Sequence, residues 1–435
     1  MTLQFKPIGL AIVAASLIVL MIWLPPLAAK FDSVALFSQY LGMAALIAMS
    51  LGQIIATRFG FVERIFGGLD RSYILHKWLG IGSMIAILLH DTIDAEMDGL
   101  GRETLLTEFA ETAGEISLYG FLVLVVITIT TFIPYHLWRW THKIIGGFFV
   151  LSVLHYWLIL KPFSNGDPIG IFVSVFCALG ILAYVYKILP RSMHPTKAYE
   201  ITDIKLEGLA SAITMTPTKR ALKHRAGQFA FATFDGIGMN EPHPFTISKA
   251  PDASGDLRIT VAPLGDFTNA LASRVKLGGN VKIEGPFGRF ERKRGLAAEL
   301  WIAAGVGITP FVAWAQSLTD KDGLVTLFYC VRDAKDAAHL TELQRIESRL
   351  KNFTVIVRDS QNQSRLNADH IVNQMGFEAT NAQAYFCGPE AMRKSLAKGL
   401  AIKGIPQRKF HFEEFEIRSG IGLRALARLL LKRLQ

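Results

Sequence analysis

Cysteine is scarce in this chain, which has three among 435 residues. Cys177, Cys330 and Cys387 lie far apart in the sequence and form no C-x-x-C pair. A disulfide framework or a structural zinc site needs several cysteines at short, regular spacing. The sequence therefore predicts neither kind of site.

The chain also lacks a block of lysine and arginine with interleaved aromatic residues. Its net charge of +10 alone would suit a nucleic-acid-binding protein. Many of the basic residues instead stand at the ends of apolar segments and in the C-terminal tail. We therefore predict no nucleic-acid partner.

Charge is rare in the first 190 residues, although 51% of the whole chain is hydrophobic and its mean hydropathy is +0.33. A helix needs about 20 mostly apolar residues to cross a membrane. Residues 8–29 are too long a run for a signal-peptide core. The sequence predicts a membrane domain over residues 1–192 that is a six-helix bundle, with helices at about 8–29, 34–57, 71–93, 114–134, 138–160 and 168–189.

The charges between these segments predict their orientation. Arg58, Arg64 and Arg71 follow the second segment, whereas the connection at 91–113 is rich in aspartate and glutamate. Basic connections stay on the cytoplasmic side. The protein is thus expected in the cell (inner) membrane, with both termini on the cytoplasmic side and loops 24–36, 91–113 and 161–168 on the outer side.

Four histidines fall within two of the segments. His76 and His90 lie 14 residues apart in the third, and His142 and His155 lie 13 apart in the fifth. At 1.5 Å per residue each pair spans about 20 Å of depth. Histidines inside a membrane mark function by default. Pairing by depth predicts two sites that each take one imidazole from either helix, as axial ligands of a haem iron.

Three observations compete with this interpretation. A spacing of 13 residues turns an ideal helix to about 140° from its starting face. Gly146 and Gly147 lie between the two histidines, where a distortion would restore the alignment. His136 is an alternative ligand, and all these histidines could instead form interhelical hydrogen bonds. Four histidines paired by depth favour ligation.

The second half alternates short β-like runs with turns and then with helical stretches. An antiparallel β-barrel is predicted over residues 195–294, followed by a doubly wound α/β domain over 297–416. The barrel strands are expected at 199–206, 212–216, 228–234, 257–263 and 281–285. The α/β strands are expected at 300–304, 324–331, 353–357 and 384–387.

Three motifs in this half carry chemistry. The run HPFTIS at 243–248 places an aromatic ring between hydroxyl groups, which suits a flat ring ligand. The run AGVGITP at 304–310 turns from a strand into a helix, and such glycines let the backbone approach a pyrophosphate. CGP at 387–389 closes the last strand, at the carboxyl edge where α/β sheets bind ligands.

Together with AGQF at 226–229 and GPFG at 285–288, these motifs resemble the ferredoxin-NADP reductase superfamily. With the six-helix half, residues 1–415 resemble the ferric reductase / NADPH oxidase family. The resemblance implies an NAD(P)H oxidoreductase. Electrons would pass from NADPH or NADH through FAD and two b-type haems to a small extracytoplasmic acceptor, a ferric chelate or O₂ giving superoxide.

The same resemblance assigns roles to individual residues. A second flavin loop would lie at 265–268, and the aromatic over the flavin would be Phe415, with the core face of a final strand as its alternative role. Cys387 and Gly388 would lie near the nicotinamide. The other assigned residues are, for FAD, His243, Pro244, Phe245, Thr246, Ser248, Gly265 and Thr268, and, for the pyrophosphate, Gly305, Gly307, Thr309 and Pro310.

The coenzyme is a question of charge at the strand ends. Arg332 and Arg358 suit the 2′-phosphate of NADPH, whereas Asp333 and Asp359 suit the ribose hydroxyls of NADH. The arginines favour NADPH. The tail at 417–435 has the leucines and arginines of a basic amphipathic helix, either on the inner lipid surface or packed on the domain.

Two other functions stay open from the sequence. The membrane half would serve a separate partner protein as its haem-bearing subunit, or it would only anchor a cytoplasmic flavin reductase. The complete flavin and nucleotide motifs in the same chain argue against the first. The haem content of the purified protein distinguishes the second function, an anchored flavin reductase, from transmembrane electron transfer.

Overall fold

The computed structural model describes residues 6–93, 97, 99–129, 135–190, 193–236 and 239–413. The predictions for Phe415 and for the tail at 417–435 lie outside these residues. The described chain divides into two compact units, with the boundary between Met193 and His194. Each unit is described by itself.

The N-terminal unit is entirely helical where it is described. Five of its stretches are long and apolar enough to cross a membrane: Pro7–Ala28, Ser33–Ala56, Leu69–Thr92, Leu105–Thr128 and Pro168–Ile188. The fifth predicted segment, 138–160, also forms a helix of 24 residues, but it is more polar. The helices are α1 (Pro7–Ile18), α2 (Leu24–Ala28), α3 (Ser33–Ala56), α4 (Gly60–Phe66), α5 (Leu69–Thr92), α6 (Leu105–Ile129), α7 (Tyr135–Leu158) and α8 (Pro168–Ile188).

Helix α6 begins at Leu105, nine residues before the predicted start at 114. Thr104 and Thr107 cap it, because the Thr107 hydroxyl accepts from the Thr104 amide at 2.7 Å and the Thr104 hydroxyl from the Thr107 amide at 3.3 Å. Glu108 in the first turn adds a favourable charge there. The prediction counted only apolar residues and therefore did not include the polar first turns of this helix. The short helix α4 was also not predicted.

The C-terminal unit begins with a six-stranded antiparallel sheet, ordered β4-β3-β6-β1-β2-β5. Its edge strands meet at one bridge, between Ile247 and Ile259. HPFT forms strand β4 itself, paired with β3, where the prediction had only a strand end. The strands are β1 (Lys197–Glu207), β2 (Ala210–Pro217), β3 (Phe229–Phe234), β4 (His243–Thr246), β5 (Leu257–Val261) and β6 (Asn280–Phe287), and α9 (Asp266–Arg274) lies between β5 and β6.

A five-stranded parallel sheet follows, ordered β11-β10-β7-β8-β9. Its last strand, β11, carries Phe412 beside Phe386 of β10. A final strand at this place was the alternative prediction for Phe412 and Phe415. The strands are β7 (Ala298–Ala304), β8 (Leu324–Val331), β9 (Phe353–Asp359), β10 (Ala382–Cys387) and β11 (Phe410–Phe412). The helices are α10 (Thr309–Gln316), α11 (Leu340–Arg349), α12 (Ala368–Gln374) and α13 (Glu390–Ile402).

Candidate cofactor sites

His76 on α5 and His142 on α7 face each other within the N-terminal unit. Their ring centroids are 6.0 Å apart, with 66° between the ring planes. A metal ion held between two imidazole nitrogens at about 2.1 Å each needs ring centres roughly 6 Å apart. The separation therefore fits one metal ion between these two rings.

Three of the four histidines have a backbone acceptor at Nδ1. His76 lies 3.0 Å from the Gly52 carbonyl, His90 2.9 Å from that of Ser38, and His155 2.8 Å from that of Ala110. A proton on Nδ1 that bonds a carbonyl leaves the lone pair of Nε2 for a metal. This is the arrangement of most metal-ligating histidines.

His142 differs from the other three histidines. Its Nδ1 is buried and has no hydrogen-bond partner, and its ring stacks on Trp138 at 5.0 Å between centroids. The structure therefore brings His76 and His142 of the first predicted pair together.

Helix α7 is continuous from Tyr135 to Leu158. The helix is therefore uninterrupted at Gly146 and Gly147, the two residues at which a distortion would have restored the alignment of the histidines. Gly146 instead admits the ring of Tyr184, which an added Cβ would overlap. The side chain of His136 lies outside the described part of the structure.

Two glycines that sequence analysis missed shape the pair His90 and His155. A Cβ added at Gly114 on α6 would lie 2.8 Å from His155 Nδ1, and one at Gly42 on α3 would lie 3.3 Å from His90 Nε2. Both would crowd an imidazole. No spacing in the sequence identifies these two glycines, because they lie on different helices from His90 and His155.

Within the described residues, no group of three or more His, Cys, Asp or Glu side chains could hold a metal ion by itself. A bare ion needs three or four protein ligands. A porphyrin brings four nitrogens of its own and asks the protein only for axial ligands. Two imidazoles are the axial ligands that a haem iron needs, so the pair His76 and His142 fits this group.

The predicted flavin residues of the C-terminal unit fall on β4 and at the start of α9. The rings of His243 and Phe267 stack at 3.5 Å between centroids, 20° from parallel. Thr268 caps α9, since its hydroxyl accepts from the amides of Leu264 and Gly265. The three other residues of β4 are Pro244, which is exposed, and Phe245 and Thr246, which are half-buried.

Ser248 is fully buried and is engaged within the protein. Its hydroxyl lies 2.9 Å from that of Thr260 and accepts from Arg258 Nε at 3.2 Å. The predicted contact of Ser248 with FAD stays a prediction.

The two nucleotide motifs are neighbours in space although about 80 residues separate them. Strands β7 and β10 are parallel partners, with Ala303 opposite Cys387. Gly307 packs against the Cys387 backbone, which an added Cβ would overlap, and Gly388 packs against Ala304. The topology therefore joins GVGITP and CGP into one surface at the carboxyl edge of the sheet.

The glycine turn leads straight into α10. Gly305 adopts a left-handed φ of +54°, a conformation that glycine reaches without strain. Thr309 is buried and donates its hydroxyl to the Val306 carbonyl at 3.1 Å, and Pro310 stands in the first turn of the helix. The local backbone is therefore shaped as the pyrophosphate prediction requires.

The charged residues at the ends of β8 and β9 divide into two roles. Asp333 accepts from the Lys335 amide and Asp359 from the Gln361 amide. Arg332 is exposed, while Arg358 donates to the Ser364 carbonyl at 3.0 Å. Each carboxylate thus accepts a hydrogen bond from a backbone amide of its own turn. This favours an arginine as the residue that contacts the coenzyme.

Cys387 is buried, and burial, assisted by the nearby Glu413 carboxylate, raises the pKa of its thiol. Because its pKa is raised, we expect the thiol to be neutral at pH 8. A neutral thiol reacts slowly, since the thiolate is the reactive form. Iodoacetamide should therefore modify Cys387 far more slowly in the folded than in the unfolded protein, as measured by mass spectrometry of its peptide. Equal rates would contradict this.

Three family models match successive parts of the chain. They are described as ferric reductase like transmembrane component (residues 41–153), FAD-binding domain (201–291) and oxidoreductase NAD-binding domain (301–398). In this order the three matches are similar to the ferric reductase / NADPH oxidase family. They indicate a membrane-associated protein with FAD-binding and NAD-binding oxidoreductase domains.

Curated relatives match either the C-terminal unit or most of the chain. The toluate 1,2-dioxygenase electron transfer component of Pseudomonas putida is 24% identical over 195 residues, 43% of this chain and 58% of that protein. Dual oxidase 2 of Rattus norvegicus is 22% identical over 405 residues, 82% of this chain and 26% of that protein. The chain thus spans about half of the first relative's length and a quarter of the second's.

Among solved structures, the FAD/NAD-binding domain of a Vibrio cholerae nitric oxide dioxygenase aligns with a TM-score of 0.45. It is 23% identical and covers 51% of this chain and 99% of that chain.

Proposed function

We propose that this protein moves electrons from cytoplasmic NAD(P)H, by way of FAD and two b-type haems, across the cell membrane to a small extracytoplasmic acceptor. The observation that carries this proposal is the facing pair His76 and His142, at 6.0 Å between ring centroids. His90 and His155 would hold the second haem. When bound, FAD exchanges a hydride for single electrons, and haem iron carries one electron at a time.

The protein's own residues bind and orient these groups. The backbone carbonyls of Gly52, Ser38 and Ala110 fix the ring orientation of three histidines. The stacked rings of His243 and Phe267 give a flat surface for an isoalloxazine. The turn at Gly305–Ile308 offers backbone amides to a pyrophosphate. No side chain needs to act as a nucleophile or general base.

NADPH is the proposed coenzyme, with NADH as the alternative. The carboxylates of Asp333 and Asp359 accept amides of their own turns, which leaves Arg332 at the end of β8 as the charged group for a 2′-phosphate. Arg358 is the second-last residue of the adjacent strand β9 and pairs with Cys330 of β8.

Anaerobic reduction tests the electron path directly. We expect NADPH, added to the purified full-length protein, to bleach the flavin and then to reduce b-type haem, because both sites belong to one chain. Absorbance spectra follow the two groups separately. Flavin reduction without any haem reduction would contradict the proposal, and a haem-free, flavin-active preparation would favour an anchored flavin reductase.

Two acceptors suit this path, a ferric chelate and O₂. Both need the same electron path and differ only in access to the outer haem. The discriminating measurement compares the superoxide-dismutase-sensitive rate with the anaerobic ferric-reductase rate in one preparation. Activity that dismutase largely abolishes would exclude the ferric chelate as the main acceptor.

A further inference from the structure

A buried histidine of the nucleotide-binding lobe bonds twice to the flavin-binding lobe. His339 is 1% exposed and adopts a left-handed φ of 60° just before α11. Its Nε2 lies 2.7 Å from the Thr260 hydroxyl on β5, and its amide donates to Glu207 of β1 at 3.1 Å. A strained backbone that persists must be held by its surroundings. These two bonds hold it across the lobe boundary.

Glu342 on α11 is the anionic centre of the same contact. Its carboxylate accepts from Arg258 of the flavin lobe at 3.0 Å, lies 3.3 Å from His339 Nδ1, and accepts from Gln316 at 2.6 Å. Burial opposes its ionisation, but His339, Arg258 and Gln316 hold the pKa of Glu342 at about 2. Gln316 in turn accepts from the Ala250 amide at 2.6 Å.

The contact reaches the end of the HPFTIS motif. The Ser248 hydroxyl lies 2.9 Å from that of Thr260, and Arg258 donates to the Ser248 carbonyl at 2.7 Å. The Thr260 hydroxyl therefore lies within hydrogen-bond distance of both the Ser248 hydroxyl and His339 Nε2. These contacts connect the end of the flavin strand to His339, the residue that precedes α11.

We propose that this cluster positions the flavin strand against the nucleotide motif and thereby sets the geometry of hydride transfer, an inference that rests on the NAD(P)H-to-FAD half of the proposed function. Gln316 is the last residue of α10, the helix that the glycine turn opens. The cluster thus joins the end of β4 to both α10 and α11. We call it the inter-lobe brace, made of Thr260, Arg258, His339, Glu342 and Gln316.

The brace residues are proposed as positioning residues, which act on the reaction through the flavin strand and the nucleotide motif. Hydride transfer depends steeply on alignment, and a shift of about 1 Å can cost up to a hundredfold in rate. Loosening the brace should therefore slow flavin reduction at saturating NADPH, while FAD remains bound. A role in stability alone would lower the melting temperature without this slowing.

Thr260→Val tests the brace, because it removes the hydroxyl that joins His339 to Ser248 and keeps the shape. Thr326→Val is the matched control. Thr326 is equally buried, at 5% against 4% exposed, and its hydroxyl donates to the Met375 carbonyl at 2.6 Å, within the nucleotide lobe alone. Stopped-flow flavin reduction is measured anaerobically in both full-length variants, together with their melting temperatures and FAD content.

We expect Thr260→Val to reduce its flavin about tenfold or more slowly, and Thr326→Val to keep the unsubstituted rate despite a similar loss of melting temperature. Glu342→Gln should slow the same step. This second variant provides the test if the Thr260→Val protein does not fold. Unchanged rates in Thr260→Val and Glu342→Gln, or equal slowing in Thr326→Val, would overturn the inference. If NADPH failed to reduce the flavin of the unsubstituted protein, that result would instead contradict the proposed function. Failure of the inference and failure of the proposed function are therefore distinguishable.

Discussion

Replacing His155 by leucine should remove one of the two proposed haems and stop electron delivery to the external acceptor. Leucine has a similar volume but no ligating nitrogen. The Ala110 carbonyl that accepts from His155 would also lose its partner. Haem content per chain should fall by half, while NADPH still reduces the flavin. A pyridine-haemochromogen assay and anaerobic flavin absorbance measure the two effects.

Tyr156→Phe is the control for local disturbance of α7. Tyr156 is buried beside His155, and its hydroxyl has only a long contact of 3.5 Å with the Gly170 carbonyl. This variant should keep both haems and the full rate. If a folded His155→Leu protein kept both haems and its trans-membrane activity, the assignment of His155 as a ligand would be wrong.

Gly307→Ala should abolish efficient use of the coenzyme. An added Cβ would overlap the carbonyl of Cys387, which is backbone and has no room to yield. The glycine turn and the CGP loop would separate, and both belong to the proposed nucleotide surface. We expect flavin reduction by NADPH to slow by about a hundredfold, with FAD content unchanged. Stopped-flow absorbance and bound-flavin analysis measure these quantities.

Gly376→Ala controls for the general effect of a methyl group in the same lobe. Gly376 has a left-handed φ of +76° and nothing within 4 Å of an added Cβ. Its substitution costs about 1–2 kcal/mol of backbone strain and creates no contact with the nucleotide motif. It should lower the melting temperature and leave the flavin-reduction rate unchanged. Normal turnover in Gly307→Ala would show that the two motifs do not need close packing.

The sequence was most informative where a pattern is local. Apolar length marked helices close to the observed ones at Leu69–Thr92 and Pro168–Ile188, because hydrocarbon thickness sets that length directly. It was less informative where polar residues start a helix, as at Thr104. The order of the flavin and nucleotide motifs indicated the family, since each motif has its own backbone requirement.

By itself, then, the sequence determined that the N-terminal half has helices long and apolar enough to cross a membrane, that two of its helices carry two histidines each, and that flavin and nucleotide motifs follow. Only the tertiary structure decided which groups meet. The carbonyls of Gly52 and Ala110 face imidazoles, and Ser248 joins the inter-lobe brace. Every residue has a carbonyl, so sequence cannot say which one a histidine will find. That choice depends on how helices and sheets pack, because packing brings together residues that are distant along the chain.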